Sequence, residues 1–159
     1  MNYRLITVGR IKEKSIQAAM AEYQKRLSAY GRLEAVQVQD EPVPDRPNEA
    51  QVKAILETEG ERLLRQVSRS AHAIVLDVSG SQLTSEEFAA YLEKVGLGGQ
   101  SEVAFVIGGT LGLSPRVLER ADLRLSLSRL TFTHQLVPLI LLEQVFRATK
   151  IQRGETYHR

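Results

Sequence analysis

Apolar and polar residues along the chain follow two periods, and the sequence changes from one to the other five times. Tyr3 to Val8 and Glu34 to Val38 read as strands, and between them Ile16, Met20, Tyr23 and Leu27 recur at helical spacing. Gly31 is expected to close that first helix. Val52, Ile55, Leu56, Leu63 and Val67 mark the apolar side of a second helix. Ala73 to Val78 and Val103 to Ile107 are nearly continuous apolar runs, as central parallel strands buried on both faces would be.

Local signals punctuate these elements. Thr84 and Glu87 have capping-box spacing ahead of Phe88, Leu92 and Val95, and Gly96, Gly98 and Gly99 end that helix. Ser114-Pro115 reads as an N-cap and first helical residue, opening a short helix through Val117 and Leu118. Leu123 to Leu127 is the fifth strand, and a long last helix runs from about His134 to Ile151. Pro138 lies in its first turn, so the true start falls later or the turn is irregular. Asp40 to Asn48 carries three prolines and reads as a solvated loop.

Strands alternating with helices predict an α/β fold: a mainly parallel sheet of about five strands with helices on both faces. Neither a linker-like break nor an internal repeat interrupts residues 1–159, so a single domain is expected.

Composition narrows the chemistry. A chain of 159 residues buries roughly two thirds of its unfolded surface, enough for a core without staples. Cysteine is absent, which removes disulfides, thiolate metal sites and thiol nucleophiles. His72, His134 and His158 have no metal-ligand spacing, so no metal is expected. The first ten residues alternate like a strand and lack the apolar core of a signal peptide, and no stretch is long enough to span a bilayer. These features point to a cytoplasmic protein. Net charge is +2 from 21 basic and 19 acidic residues, which is compatible with a polyanionic partner without requiring one.

In an open α/β sheet, ligands gather at the carboxyl ends of strands, and three segments are informative. Phe105 to Leu113 runs from a buried strand into Gly108-Gly109-Thr110-Leu111-Gly112, a turn whose backbone can approach a ligand closely. Its spacing fits neither the dinucleotide fingerprint nor the phosphate loop, and a purely structural turn is an equal reading. Ser126 to Gln135 supplies hydroxyls and His134, which suit a polar pocket or simply cap a helix. The end of the chain collects Arg147, Lys150, Arg153 and Arg159 with Tyr157 and His158, joining positive charge to stacking faces as RNA sites do. A frayed, solvated terminus is the alternative.

Taken together and in this order, these segments resemble the RlmH family of ribosomal RNA methyltransferases. The likeness runs from Thr7-Val8-Gly9-Arg10-Ile11-Lys12 to Tyr157-His158-Arg159. It is most specific at Val106-Ile107-Gly108-Gly109, at Glu143 to Ala148, and at Gly154 to Arg159. The resemblance implies a SPOUT-type α/β fold with a deep C-terminal trefoil knot, which pattern alone would not suggest because chains are generally unknotted. It also implies a homodimer that uses S-adenosyl-L-methionine to methylate N3 of a pseudouridine in 23S rRNA within the assembled ribosome.

By position, the resemblance assigns the cofactor pocket to Leu76, Gly108, Leu127, Ser128, Arg129, Leu130, Thr131 and Phe132. The RNA side and the chemistry fall to Arg147, Tyr157, His158 and Arg159, with His134 as an alternative base. Two positions depart from the family pattern: Thr133 stands where proline is usual, and Pro138 where arginine is usual. A non-catalytic ribosome-binding factor is the alternative from another class, and it predicts RNA binding without cofactor affinity. Dehydrogenase and NTPase readings are disfavoured by the missing fingerprints.

Overall fold

The computed structural model describes residues 1–159. Five strands form one sheet: β1 (Asn2–Val8), β2 (Leu33–Val38), β3 (His72–Gln82), β4 (Glu102–Ile107) and β5 (Leu123–Ser126). Five helices alternate with them: α1 (Lys14–Leu27), α2 (Glu49–Gln66), α3 (Ser85–Leu97), α4 (Pro115–Arg120) and α5 (Val137–Gln152). The strand order is β2-β1-β4-β3-β5, and every pair is parallel, as the strand and helix alternation predicts.

Successive side chains of a strand point to opposite faces, and this period sorts the core into two layers. Leu5, Phe105 and Ile74 are in register across β1, β4 and β3 and face α1, α3 and α5. Their neighbours Ile6, Val106 and Val75 face α2 and α4. All six are at most 1% exposed, and full burial of each such side chain is worth about 1.5–3 kcal/mol. The continuous apolar runs are therefore strands covered on both sides, and no helix is long and apolar enough to cross a membrane.

Local chemistry sets the helix boundaries. Asn48 with Gln51 and Thr84 with Glu87 form full capping boxes at α2 and α3. Ser114 caps α4, and its hydroxyl accepts from the Val117 N–H.

The boundaries correct the sequence reading in several places. Gly31 does not close α1, which ends at Leu27; a Cβ at Gly31 would lie 2.6 Å from the Met1 carbonyl oxygen, so the glycine admits the strand that passes there. Val67 caps α2 from outside, and Gly96 lies within α3, whose cap is Gly98. The last helix starts at Val137, after His134, which leaves Pro138 at a first-turn position where no intrahelical donor is needed. A turn closed by Leu136 and Val137 N–H groups on the Thr133 carbonyl precedes it.

A further correction is the length of β3. It runs past Val78 to Gln82, and its register with β5 jumps between Leu76 and Ser81, both of which pair with Leu125. The intervening residues bulge out at the carboxyl end of the sheet. Gly80 is required there, since a Cβ would lie 2.6 Å from the Arg124 carbonyl oxygen.

Candidate active site

The carboxyl ends of β3, β4 and β5 converge on a cavity of about 200 Å³. Leu76, Asp77 and Val78 come from the β3 bulge, Ile107 to Gly109 with Gly112 and Leu113 from the turn after β4, and Leu127, Ser128, Leu130, Phe132 and His134 from the segment after β5. Val137 closes it from α5.

The glycine turn shapes the wall. A Cβ at Gly108 would lie 2.5 Å from the Gly112 carbonyl oxygen, so no side chain fits there. Gly109 and Gly112 bridge each other, and Gly112 has a positive φ of 96° that closes the turn without strain. Opposite, Ser128 Oγ accepts from the Leu130 N–H at 2.9 Å, and Ser126 Oγ donates to the Ser128 carbonyl at 3.0 Å. These bonds curl the segment so that Leu130 remains 71% exposed at the rim, matched across the opening by Val78 at 66%.

Six of the eight residues assigned to this pocket from sequence line it: Leu76, Gly108, Leu127, Ser128, Leu130 and Phe132. The side chains of Arg129 and Thr131 alternate outward and are exposed. Asp77, Val78 and Val137 also line it and were not foreseen. Ser79-Gly80 within an apolar strand was the available signal, since a glycine there marks a bulge. Asp77 Oδ1 accepts from the Ser79 N–H at 3.0 Å and stabilises that bulge.

The end of the chain is not frayed. Gly154, at φ 63°, turns it back along α5. The Tyr157 ring packs edge-on against Phe146 at 4.8 Å, and its hydroxyl reaches Glu143 Oε1 at 3.2 Å and the Tyr23 hydroxyl at 3.3 Å. Arg147 lies over that ring at 4.9 Å and donates to Glu143 at 2.5 Å and to His158 Nδ1 at 3.2 Å. His158 Nε2 meets Glu86 of α3 at 2.8 Å. Arg147, Tyr157 and His158 thus form one cluster, whereas Arg159 is exposed beyond it.

Charge and burial set the protonation states of this cluster. The Tyr157 phenol is pushed far above the tyrosine range, chiefly by desolvation and then by the Tyr23 hydrogen bond and the Glu143 charge. It remains a neutral donor at any physiological pH. The hydrogen bond that Arg147 donates to Glu143 raises its pKa further, so its positive charge is permanent. None of Arg147, Tyr157, His158 or Arg159 lines the 200 Å³ cavity of its own chain. A neighbouring cavity, lined in part by Ser85 and Gln144, shares Leu125, Leu127 and Phe132 with it and lies between it and the α3–α5 face.

Comparison with known proteins identifies the family. The family described as "Predicted SPOUT methyltransferase" matches residues 1–158. The chain is 53% identical over 161 residues to ribosomal RNA large subunit methyltransferase H of Symbiobacterium thermophilum, with both chains covered in full. The chain belongs to the RlmH family of SPOUT methyltransferases. A second RlmH relative, from Carboxydothermus hydrogenoformans, is 48% identical over 159 residues, again across the whole of both chains. The crystal structure of tRNA (m1G37) methyltransferase from Aquifex aeolicus superposes with a TM-score of 0.52 at 14% identity, covering 92% of this chain and 70% of that one. At that identity the likeness is one of fold. The departures from the RlmH pattern at Thr133 and Pro138 are absorbed locally: Thr133 closes the turn before α5, and Pro138 is buried in the first turn of the helix.

Proposed function

We propose that this chain, acting as a single domain over residues 1–159, transfers a methyl group from S-adenosyl-L-methionine to N3 of a pseudouridine in 23S rRNA of the assembled ribosome, in the cytoplasm. The observation that carries the reading is the cavity walled by Gly108 and the Leu127 to Phe132 segment in a chain of this family. Its apolar lining and close backbone suit an adenosyl group, and main-chain groups together with Asp77, Ser128 and His134 supply the polar contacts. The family's trefoil knot would tie the segment after β5 through the chain and hold this wall rigid.

When bound, S-adenosylmethionine supplies an electrophilic methyl group on a sulfonium whose sulfur leaves as a neutral thioether. The protein's part is to position the imide nitrogen and manage its proton. Burial and the Glu143 charge raise the pKa of the Tyr157 phenol, which suits it to donate a hydrogen bond and not to accept the proton. His158 is the proposed base and His134 the alternative, the latter on the pocket wall. Arg147 and Arg159 would stabilise the developing imide anion.

The chain is proposed to act as a homodimer in which one protomer's terminal cluster completes its partner's pocket. Two features support this: the cluster does not reach its own pocket, and Val78 and Leu130 expose apolar surface at the rim. The test combines calorimetry with S-adenosylhomocysteine and mass spectrometry of ribosomal RNA from a deletion strain. Binding, and loss of one methylated pseudouridine, are expected; a protein that is monomeric and binds no methyl-donor analogue overturns the reading.

A further inference from the structure

Beside the methyl-donor pocket, on the side of β1 and β2, lies a larger cleft of about 570 Å³, within the range of about 300–1,000 Å³ typical of ligand sites. It opens at the carboxyl ends of β1 and β2 and shares Gly109 and His134 with the donor pocket, so an occupant would lie against the reacting centre. At its floor is Glu59 of α2, only 4% exposed. The Glu41 N–H donates to Glu59 Oε2 at 2.9 Å, while Oε1 receives no hydrogen bond from the protein. Glu59 lines the cleft, and its Oε1 lies beside Gly109 of the same wall, 3.2 Å from where a Cβ would stand.

A carboxyl buried on the apolar side of a helix is costly unless something uses it. Desolvation, followed by Asp40 and Glu41, raises its pKa, which records that cost. The lining acids do not assemble a metal site. Arg62 engages Glu41 at 3.0 Å, and the exposed Arg10 and Lys12 stand among the lining residues. Gln135 fastens that basic loop to the wall of the donor pocket, accepting from the Lys12 N–H at 2.8 Å and donating to the Arg10 carbonyl at 3.1 Å. Glu13, Asp40 and Glu41 line the cleft as well. Acceptors around the floor and the exposed cations Arg10 and Lys12 match one unstacked nucleotide, with the N–H edge of its base toward the acids and its phosphate toward the cations.

We propose that this cleft holds a nucleotide flanking the methylated one, with Glu59 Oε1 hydrogen-bonded to the N–H edge of its base and Arg10 and Lys12 on its phosphate. The inference rests on the methyltransferase reading above. It adds a determinant of sequence preference that is separate from methyl-donor binding.

The test uses the full-length protein with assembled ribosomes that carry each flanking base in turn. Wild-type protein is expected to discriminate among these bases, and Glu59→Gln to lose about tenfold in kcat/KM on the preferred one and to flatten the discrimination. Its affinity for S-adenosylhomocysteine should not change. Arg10→Ala with Lys12→Ala, both exposed, should raise KM for every substrate and reduce its dependence on salt. Unchanged base preference in Glu59→Gln overturns the proposal, as does a parallel loss of fold and cofactor affinity, which would make Glu59 structural. If wild-type protein binds the cofactor analogue and methylates the RNA but ignores the flanking bases, the cleft proposal alone fails. If wild-type protein does neither, the methyltransferase reading fails and this one with it.

Discussion

Nε2 of His158 lies 2.8 Å from Oε1 of Glu86, and this contact ties the last residues of the chain to the first turn of α3. The hydrogen bond holds the Glu86 carboxyl below the usual carboxylate range. A carboxylate with a depressed pKa lends its contribution above the unfolded-state pKa and loses it as pH falls through the folded value. The terminus should therefore loosen on the acid side of the carboxylate range. NMR shifts of His158 and Tyr157 should move there in the wild type, and Glu86→Gln should abolish that acid transition.

His158→Ala should leave affinity for S-adenosylhomocysteine intact and slow single-turnover methylation at saturating cofactor by about 10²–10⁴-fold, the usual contribution of a positioned base. An unchanged rate removes His158 from the chemistry and leaves His134, on the pocket wall, to be tested in the same assay.

Two glycines four residues apart should behave differently. Gly108→Ala places a methyl 2.5 Å from the Gly112 carbonyl oxygen, which must shift, and cofactor affinity should fall by about tenfold or more as the wall moves. Gly112→Ala meets no atom within 4 Å but forces alanine to a φ of 96°, so it should cost about 1–2 kcal/mol in stability, read by urea unfolding.

Glu59→Gln should be no less stable than the wild type at neutral pH. Burial raises the pKa of this carboxyl, so the folded state binds its proton more tightly, and stability falls as pH rises from the unfolded value through the folded one. A neutral amide keeps an acceptor for the Glu41 N–H and removes that loss. Thermal unfolding should show a gain on the order of 1–3 °C above the carboxylate range and none below it.

Phe105→Ala should destabilise by about 3–5 kcal/mol, because the ring is 1% exposed in the layer beneath α3 and α5 and its loss leaves a cavity there. Chemical unfolding measures it directly.

The strands, helices and parallel sheet were legible because each depends on local periodicity. The Val103 to Ile107 run, the Thr84 and Glu87 box and the Ser114-Pro115 cap all lie where side-chain spacing puts them. Part of the pocket was legible too, through the Gly108 turn and the polar segment after β5. Glu59 was missed, although its position between Ile55 and Leu63 puts a carboxylate on an otherwise apolar helix face, which was the signal available.

Sequence alone determined the order and type of the elements and the absence of thiol chemistry, since these follow from residue identity and near-neighbour spacing, and its motifs carried the resemblance to the family. Only the tertiary structure decided that β3 bulges over the cavity, that Gln135 joins two loops, and that Tyr157 and His158 fold back onto Glu143 and Glu86. Those contacts join residues far apart in the chain, and packing brings such groups within hydrogen-bond distance in ways that no local period encodes.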